Sequence, residues 1–240
     1  MQRERPGRPV RRPLIDLSRL IPMNQQAEAV ARLLAALTYG ERCAAARARH
    51  NLEYAPDGRA REEQSRVAER EEDNSALMEA RLAEIGSLED AERFRPFFDA
   101  FFERTVPANW LEAQTWHYVG DALVSDFAEV LNEVLDPVSA QIVHRTLGER
   151  QDQESFALDE LKRAMSSGDG DATERIAAFA RKIAGEALTQ TSQAMTQTQV
   201  LFDLLGGPEA EKEMVLKLLE GHRARLDRLG VEPLEPATGD

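Results

Sequence analysis

Residues 107–137, PANWLEAQTWHYVGDALVSDFAEVLNEVLDP, decide the fold class. Trp110, Gln114, His117, Asp121, Val124, Ala128, Leu131 and Leu135 recur at steps of three and four, which places them on one side of a long helix. The stretch opens at a proline, suited to a first helical turn, and closes before Asp136-Pro137, where the next helix begins. Two polar groups, His117 and Asp121, interrupt an otherwise apolar face. An ionised group in a core is costly unless it is paired or holds a cation, so these intrusions direct the rest of the reading.

The same pattern extends outward in both directions. Breakers at Ala55-Pro56-Asp57-Gly58 and Gly86-Ser87 bound a helix over 25–52 and another over 62–85. A phenylalanine-rich element follows over 89–104. A fourth long helix opens at Pro137 and runs to about 165, and the loop at 166–170 precedes a fifth over 172–205. Gly206-Gly207-Pro208 ends that one, and a sixth spans 209–229. Clustered β-branched residues and alternating apolar runs are nearly missing from the sequence, so the fold class is all-α. Two hairpins, first helix with second and third with fourth, are the halves of a four-helix bundle with additional C-terminal helices.

Each hairpin carries the same polar arrangement. Glu41 breaks the stripe of Val30, Leu34, Leu37, Ala45 and Ala48, while Glu71 and Asn74 break that of Val67, Met78, Leu82 and Ile85. In the second hairpin Asp121 is answered by Glu149 with Asp152 three residues on. The fourth helix also offers a rival, more apolar stripe through Val143, Leu147, Glu154, Leu158, Leu161 and Met165. One acid from each of two helices, answered by an acid with a second ligand-type residue at i+3 on the other two, is the layout of a dimetal carboxylate site. Glu41, Glu71, Asn74, Asp121, Glu149 and Asp152 are therefore the expected ligands, with His117 as a further nitrogen donor. A competing reading pairs these acids with Arg42, Arg70, Arg145 or Arg150. In a third, the acids form a metal-free pocket in which carboxyl groups share protons.

Several short stretches carry a resemblance over about 33–226: Tyr39-Gly40-Glu41, Trp110-Leu111-Glu112, Tyr118-Val119-Gly120-Asp121, Asp126-Phe127, Leu135-Asp136-Pro137 and Gly185-Glu186-Ala187-Leu188-Thr189-Gln190. The chain resembles bacterial ferritin-like proteins related to the tRNA hydroxylases that act on the isopentenyl chain of a hypermodified adenosine. That resemblance implies a ferritin-like bundle and, in the hydroxylating relatives, two irons that activate dioxygen. It also implies that the family's histidine ligands fall at Asn74 and Asp152, neither of which is an imidazole. Carboxylates suit a harder ion such as manganese, so the cofactor expected is iron or manganese, or none. The function expected is a divergent relative of these dimetal oxygenases, with a metal-free binding or interaction bundle as the alternative.

Composition bounds the remaining expectations. The 240 residues carry a net charge of −13, and the first thirteen hold five arginines against one glutamate, leaving the remainder at −17. A body so acidic repels phosphate backbones, which disfavours nucleic-acid binding. The expected division is a basic disordered tail over 1–23, a bundle domain over 24–229 and a second tail over 230–240. A single cysteine, Cys43, and the want of long apolar runs point to a cytoplasmic protein without membrane spans. Five phenylalanines within nine positions, Phe94 to Phe102, suggest a crossover plug or the face of a homodimer. Phosphate-binding glycine loops, His-Glu-x-x-His and Gly-x-Ser-x-Gly motifs do not occur, which removes the nucleotide, zinc-protease and α/β-hydrolase readings.

Overall fold

The computed structural model describes residues 23–131, 134–167, 171–197 and 206–231, and among these every regular element is helical. The first hairpin pairs α1 (Met23–His50) with α2 (Gly58–Ile85) along most of their length. Its turn is fixed locally, because the Asp57 carboxylate accepts the Ala60 N–H at 2.8 Å and caps α2. Two short helices, α3 (Leu88–Ala91) and α4 (Arg95–Arg104), then cross over the hairpin.

The second half of the bundle is segmented. Helix α5 (Trp110–Thr115) passes through one π-helical turn, Trp116–Gly120, into α6 (Asp121–Leu131). Asp136 caps α7 (Pro137–Val143) by accepting from the amides of Val138 and Ser139, both at 3.1 Å, and receives Arg81 from α2 at 3.0 Å. A second π-helical turn, His144–Gly148, follows, and α8 (Gln151–Ser166) begins after a break. The single helix expected over 137–165 is thus two helices. Helix α9 (Ala172–Gln197) packs on α4 and α5, and α10 (Gly207–Leu229) on α6. The last residues of the expected fifth helix, and both tails apart from Met23, Gly230 and Val231, lie outside the described residues.

Leucines and alanines of α1 with Met78, Leu82, Leu131, Val143 and Leu147 form one core cluster. Trp116, Tyr118, Leu161, Ile176, Ile183 and Leu226 belong to a second. Val143, Leu147 and Leu161 are wholly buried, so the rival apolar stripe is the one the second half of the bundle uses.

The contact of α10 with α6 depends on a glycine. Arg225 grips Asp126 with two hydrogen bonds of 2.8 Å, and a Cβ on Gly221 would strike the Asp126 carboxylate. Gly221→Ala is expected to lower the melting temperature by several degrees. The strained pair costs about 2–3 kcal/mol and alanine's helix propensity returns only about 1. A melting curve with an unchanged or raised midpoint would mean that Asp126 turns aside freely.

Candidate functional site

Four helices deliver charge to one buried point. Glu41 comes from α1, Glu71 from α2, Asp121 from the first turn of α6, and Arg150 from the residue just before α8; none is more than 5% exposed. The guanidinium reaches all three acids. Its Nη2 donates to Glu41 Oε1 at 3.0 Å and its Nη1 to Glu71 Oε1 at 2.9 Å, with Asp121 Oδ1 3.3 Å from Nη1.

A second layer of hydrogen bonds orients the acids. His117 sits one turn before Asp121, its Nδ1 2.9 Å from Asp121 Oδ2, and its Nε2 lies 3.4 Å from the Asn51 amide nitrogen. Buried Gln153 donates its amide to Asp121 and lies 2.7 Å from His117 Nδ1, while Arg70 holds its carbonyl oxygen. The tautomer with Nδ1–H donating to Asp121 and Nε2 accepting from Asn51 suits those two contacts, and leaves the Gln153 amide, which donates to the same Asp121 oxygen, as a neighbour of Nδ1 and not its partner. Asn74 donates to the Thr146 carbonyl at 3.1 Å, tying α2 to the second π-helical turn.

The expected ligand set is therefore brought together only in part. Glu41, Glu71, Asp121 and His117 converge, with Asn74 buried nearby. Glu149 and Asp152 do not join them. The Glu149 side chain is 60% exposed and faces His144 at 3.6 Å, and Asp152 is exposed at the start of α8. Their places are taken by the next residue in each case, Arg150 and Gln153. The cause is local backbone. A π-helical turn carries an extra residue per turn, and Glu149 (φ −98°, ψ 67°) and Arg150 (φ −121°, ψ 15°) both leave the helical region before α8 starts. A signal was present in the sequence, since the apolar stripe Val143, Leu147, Ala157, Leu161 passes through Arg150 at i+3 from Leu147.

Burial sets the charge state of the cluster. Desolvation pushes the Glu41 carboxyl up to about 8, with the Arg150 charge opposing and the charges of Glu71 and Asp121 adding to it. Glu71 is raised for the same leading reason, and its Oε2 has no hydrogen-bond partner. Burial alone would lower Arg150, but the three acids outweigh it and hold the guanidinium above its ordinary range. One cation facing three acids leaves an excess of negative charge, which protons held on Glu41 and Glu71 reduce.

Beside the cluster lies a cavity of about 200 Å³. Glu41, Asp121 and Arg150 contribute to its wall, but most of the lining is apolar: Leu33 and Leu37 of α1, all five clustered phenylalanines, Trp116, and Ala184 and Leu188 of α9. The phenylalanine group, expected as a crossover plug or a dimer face, lines this space, with Phe94, Phe97 and Phe102 buried and Phe98 and Phe101 partly so. Gly40 admits one of them, since a Cβ there would lie 2.7 Å from the Phe98 ring. Cys43 packs half-buried beside these residues, and burial pushes its thiol up to about 12, so it is an inert side chain rather than a nucleophile. Glu186, on the outer side of α9, pairs with Arg104 at 3.1 Å.

The model of an actinomycete ferritin-like domain family matches residues 24–208, well over half the chain. The chain belongs to this family. A solved structure from Synechococcus, described as protein 19 with aldehyde deformylating oxidase activity, superposes with a TM-score of 0.67. It covers 87% of this chain and 92% of its own at 17% identity, which is a likeness of fold. No match was found among proteins with curated functions.

Within this ferritin-like bundle the residues at the centre do not suit a pair of metal ions. The carboxylates that would bind them already share a guanidinium, a cation that proteins do not deprotonate. Both i+3 positions are amides, Asn74 and Gln153, each committed to hydrogen bonds within the protein. Among the described residues, no group of three His, Cys, Asp or Glu side chains is arranged to hold a metal ion.

Proposed function

We propose that this protein is a metal-free member of the ferritin-like group that binds a small, mainly apolar molecule in the cavity beside Arg150. The observation that supports this most strongly is the Arg150 guanidinium bonded to Glu41 and Glu71 and in ionic contact with Asp121. It occupies the centre that a dimetal oxygenase would need for its ions. The phenylalanine-lined cavity next to it is slightly larger than a dry cavity of roughly 150 Å³ that admits benzene. An arginine in the ion position keeps the bundle braced and the carboxylates compensated without a metal, and leaves the cavity as the feature with capacity for a ligand. Descent from hydroxylases of the tRNA type remains the reading that the matching stretches support, with the redox centre replaced.

Two measurements test this. Elemental analysis of protein purified without chelator is expected to give far less than one iron or manganese per chain. Titration with the fluorescent apolar probe 1-aminoanthracene is expected to give saturable 1:1 binding. Two tightly bound irons per chain, lost in Glu71→Gln and Asp121→Asn, would restore the oxygenase reading, and a probe that does not bind would remove the ligand-binding one.

A further inference from the structure

Three polar side chains in the cavity wall lie away from the Arg150 cluster in sequence and are used by none of its hydrogen bonds: Gln190 and Thr191 of α9 and His222 of α10. Gln190 and His222 are the buried ones, at 6% and 8% exposure. His222 is the more informative. Its Nδ1 is shut off from solvent and has no hydrogen-bond partner, a state that costs about 1–3 kcal/mol for a buried polar atom. Such a cost is normally offset by a partner, and His222 lies against the cavity, where a bound molecule could supply one.

We propose that His222, with Gln190 beside the same cavity, is the head-group site of the bound ligand, and that the ligand is a small amphiphile ending in an uncharged oxygen group such as an alcohol. This rests on the reading of the cavity as a ligand site and gives that ligand a chemistry. Burial and the neighbouring Arg225 charge hold the imidazole below its ordinary range, so it faces the cavity as a neutral ring that exchanges one hydrogen bond. Arg225 itself is committed to Asp126. In the cluster at the other part of the wall Arg150 is spent on Glu41, Glu71 and Asp121, with both terminal nitrogens engaged and only its Nε without a partner. A carboxylate seated at His222 would thus be desolvated with no uncommitted cation beside it, whereas a hydroxyl loses less and satisfies Nδ1. The cavity volume suits a body of about six carbons.

The experiment is displacement of 1-aminoanthracene from the full chain by 1-hexanol, hexanoate and hexane, in the unaltered protein, His222→Leu and His222→Gln. Hexanol is expected to bind at least ten times more tightly than hexanoate. His222→Leu should weaken hexanol by about 5- to 20-fold, corresponding to the loss of one buried hydrogen bond, and leave hexane unchanged. His222→Gln, which keeps a hydrogen-bonding group, should restore most of the hexanol affinity and serves as the readout if the leucine variant does not fold. Hexanoate binding as well as hexanol, or hexanol and hexane responding alike to both variants, would overturn the head-group assignment while the cavity remains a ligand site. Failure of 1-aminoanthracene to bind the unaltered protein would overturn both.

Discussion

Arg150→Met is expected to be the most destabilising single change at the centre of the bundle, with a loss of about 3–5 kcal/mol in urea unfolding at pH 7.5. The reason is asymmetry. Removing the guanidinium leaves Glu41, Glu71 and Asp121 buried beside one another with no cation between them. The penalty is that of buried acids left without their cation, met as uncompensated charge or as protons taken up from solvent, more than the lost attraction. For a domain of this size it corresponds to a fall in melting temperature of roughly 6–20 °C. Two companions separate this account from simple packing damage. Adding Glu41→Gln and Asp121→Asn to Arg150→Met should recover part of the loss, because two of the three acids leave with the cation and Glu71 alone remains. Manganese or iron added to Arg150→Met should raise its melting temperature while leaving the parent unchanged, since only the variant offers carboxylates without a resident cation. Equal losses for the single and triple variants would show that Arg150 acts through its volume alone.

The second large effect is a stability that declines as pH rises through neutrality. Glu41 is held at about 8 in the folded protein, against an ordinary value of 4.5, chiefly by burial. Between those values the folded state binds more protons than the unfolded one, so stability falls with pH at up to about 1.4 kcal/mol per unit for one such group. The contribution is complete below about pH 4.5 and is lost as pH climbs through about 8. Glu71, raised by the same cause, adds to the slope in the same direction. Asp136 and Glu160 are held below their ordinary range, burial opposing but hydrogen bonds with Ser139 and Trp110 outweighing it, so they favour the opposite trend only in acid. His222, held below its ordinary value of 6.5 by burial, opposes the trend below that pH, so urea unfolding between about pH 6.5 and 8.5 is the informative window. The unaltered protein should lose stability across it, and Glu41→Gln should lose markedly less. A rise in stability over that window, or an identical slope in the variant, would mean that Glu41 is ionised throughout.

Much of the fold was legible from one-dimensional pattern. Proline and glycine punctuation and three- and four-residue apolar steps gave the helical class, the two hairpins and the crossover, because helix periodicity is a local property of the chain. The same steps identified Glu41, Glu71, His117 and Asp121, since a polar residue on an apolar stripe is inward wherever the helix is regular. That condition holds for α1 and α2, and although Trp116–Gly120 is a π-helical turn, His117 and Asp121 still meet across it at 2.9 Å. It fails between Leu147 and Gln151, where a π-helical turn and two non-helical residues change the phase of all that follows. There the sequence by itself indicated that an acid cluster existed and offered Arg150 among four arginine partners, without choosing between these and a metal. Only the tertiary structure decided that Arg150 and Gln153 face inward and Glu149 and Asp152 outward, because the angle at which α8 enters the bundle is set by packing against neighbours far away in sequence. The cavity was out of reach of pattern for the same reason, since a space between helices belongs to none of those that line it.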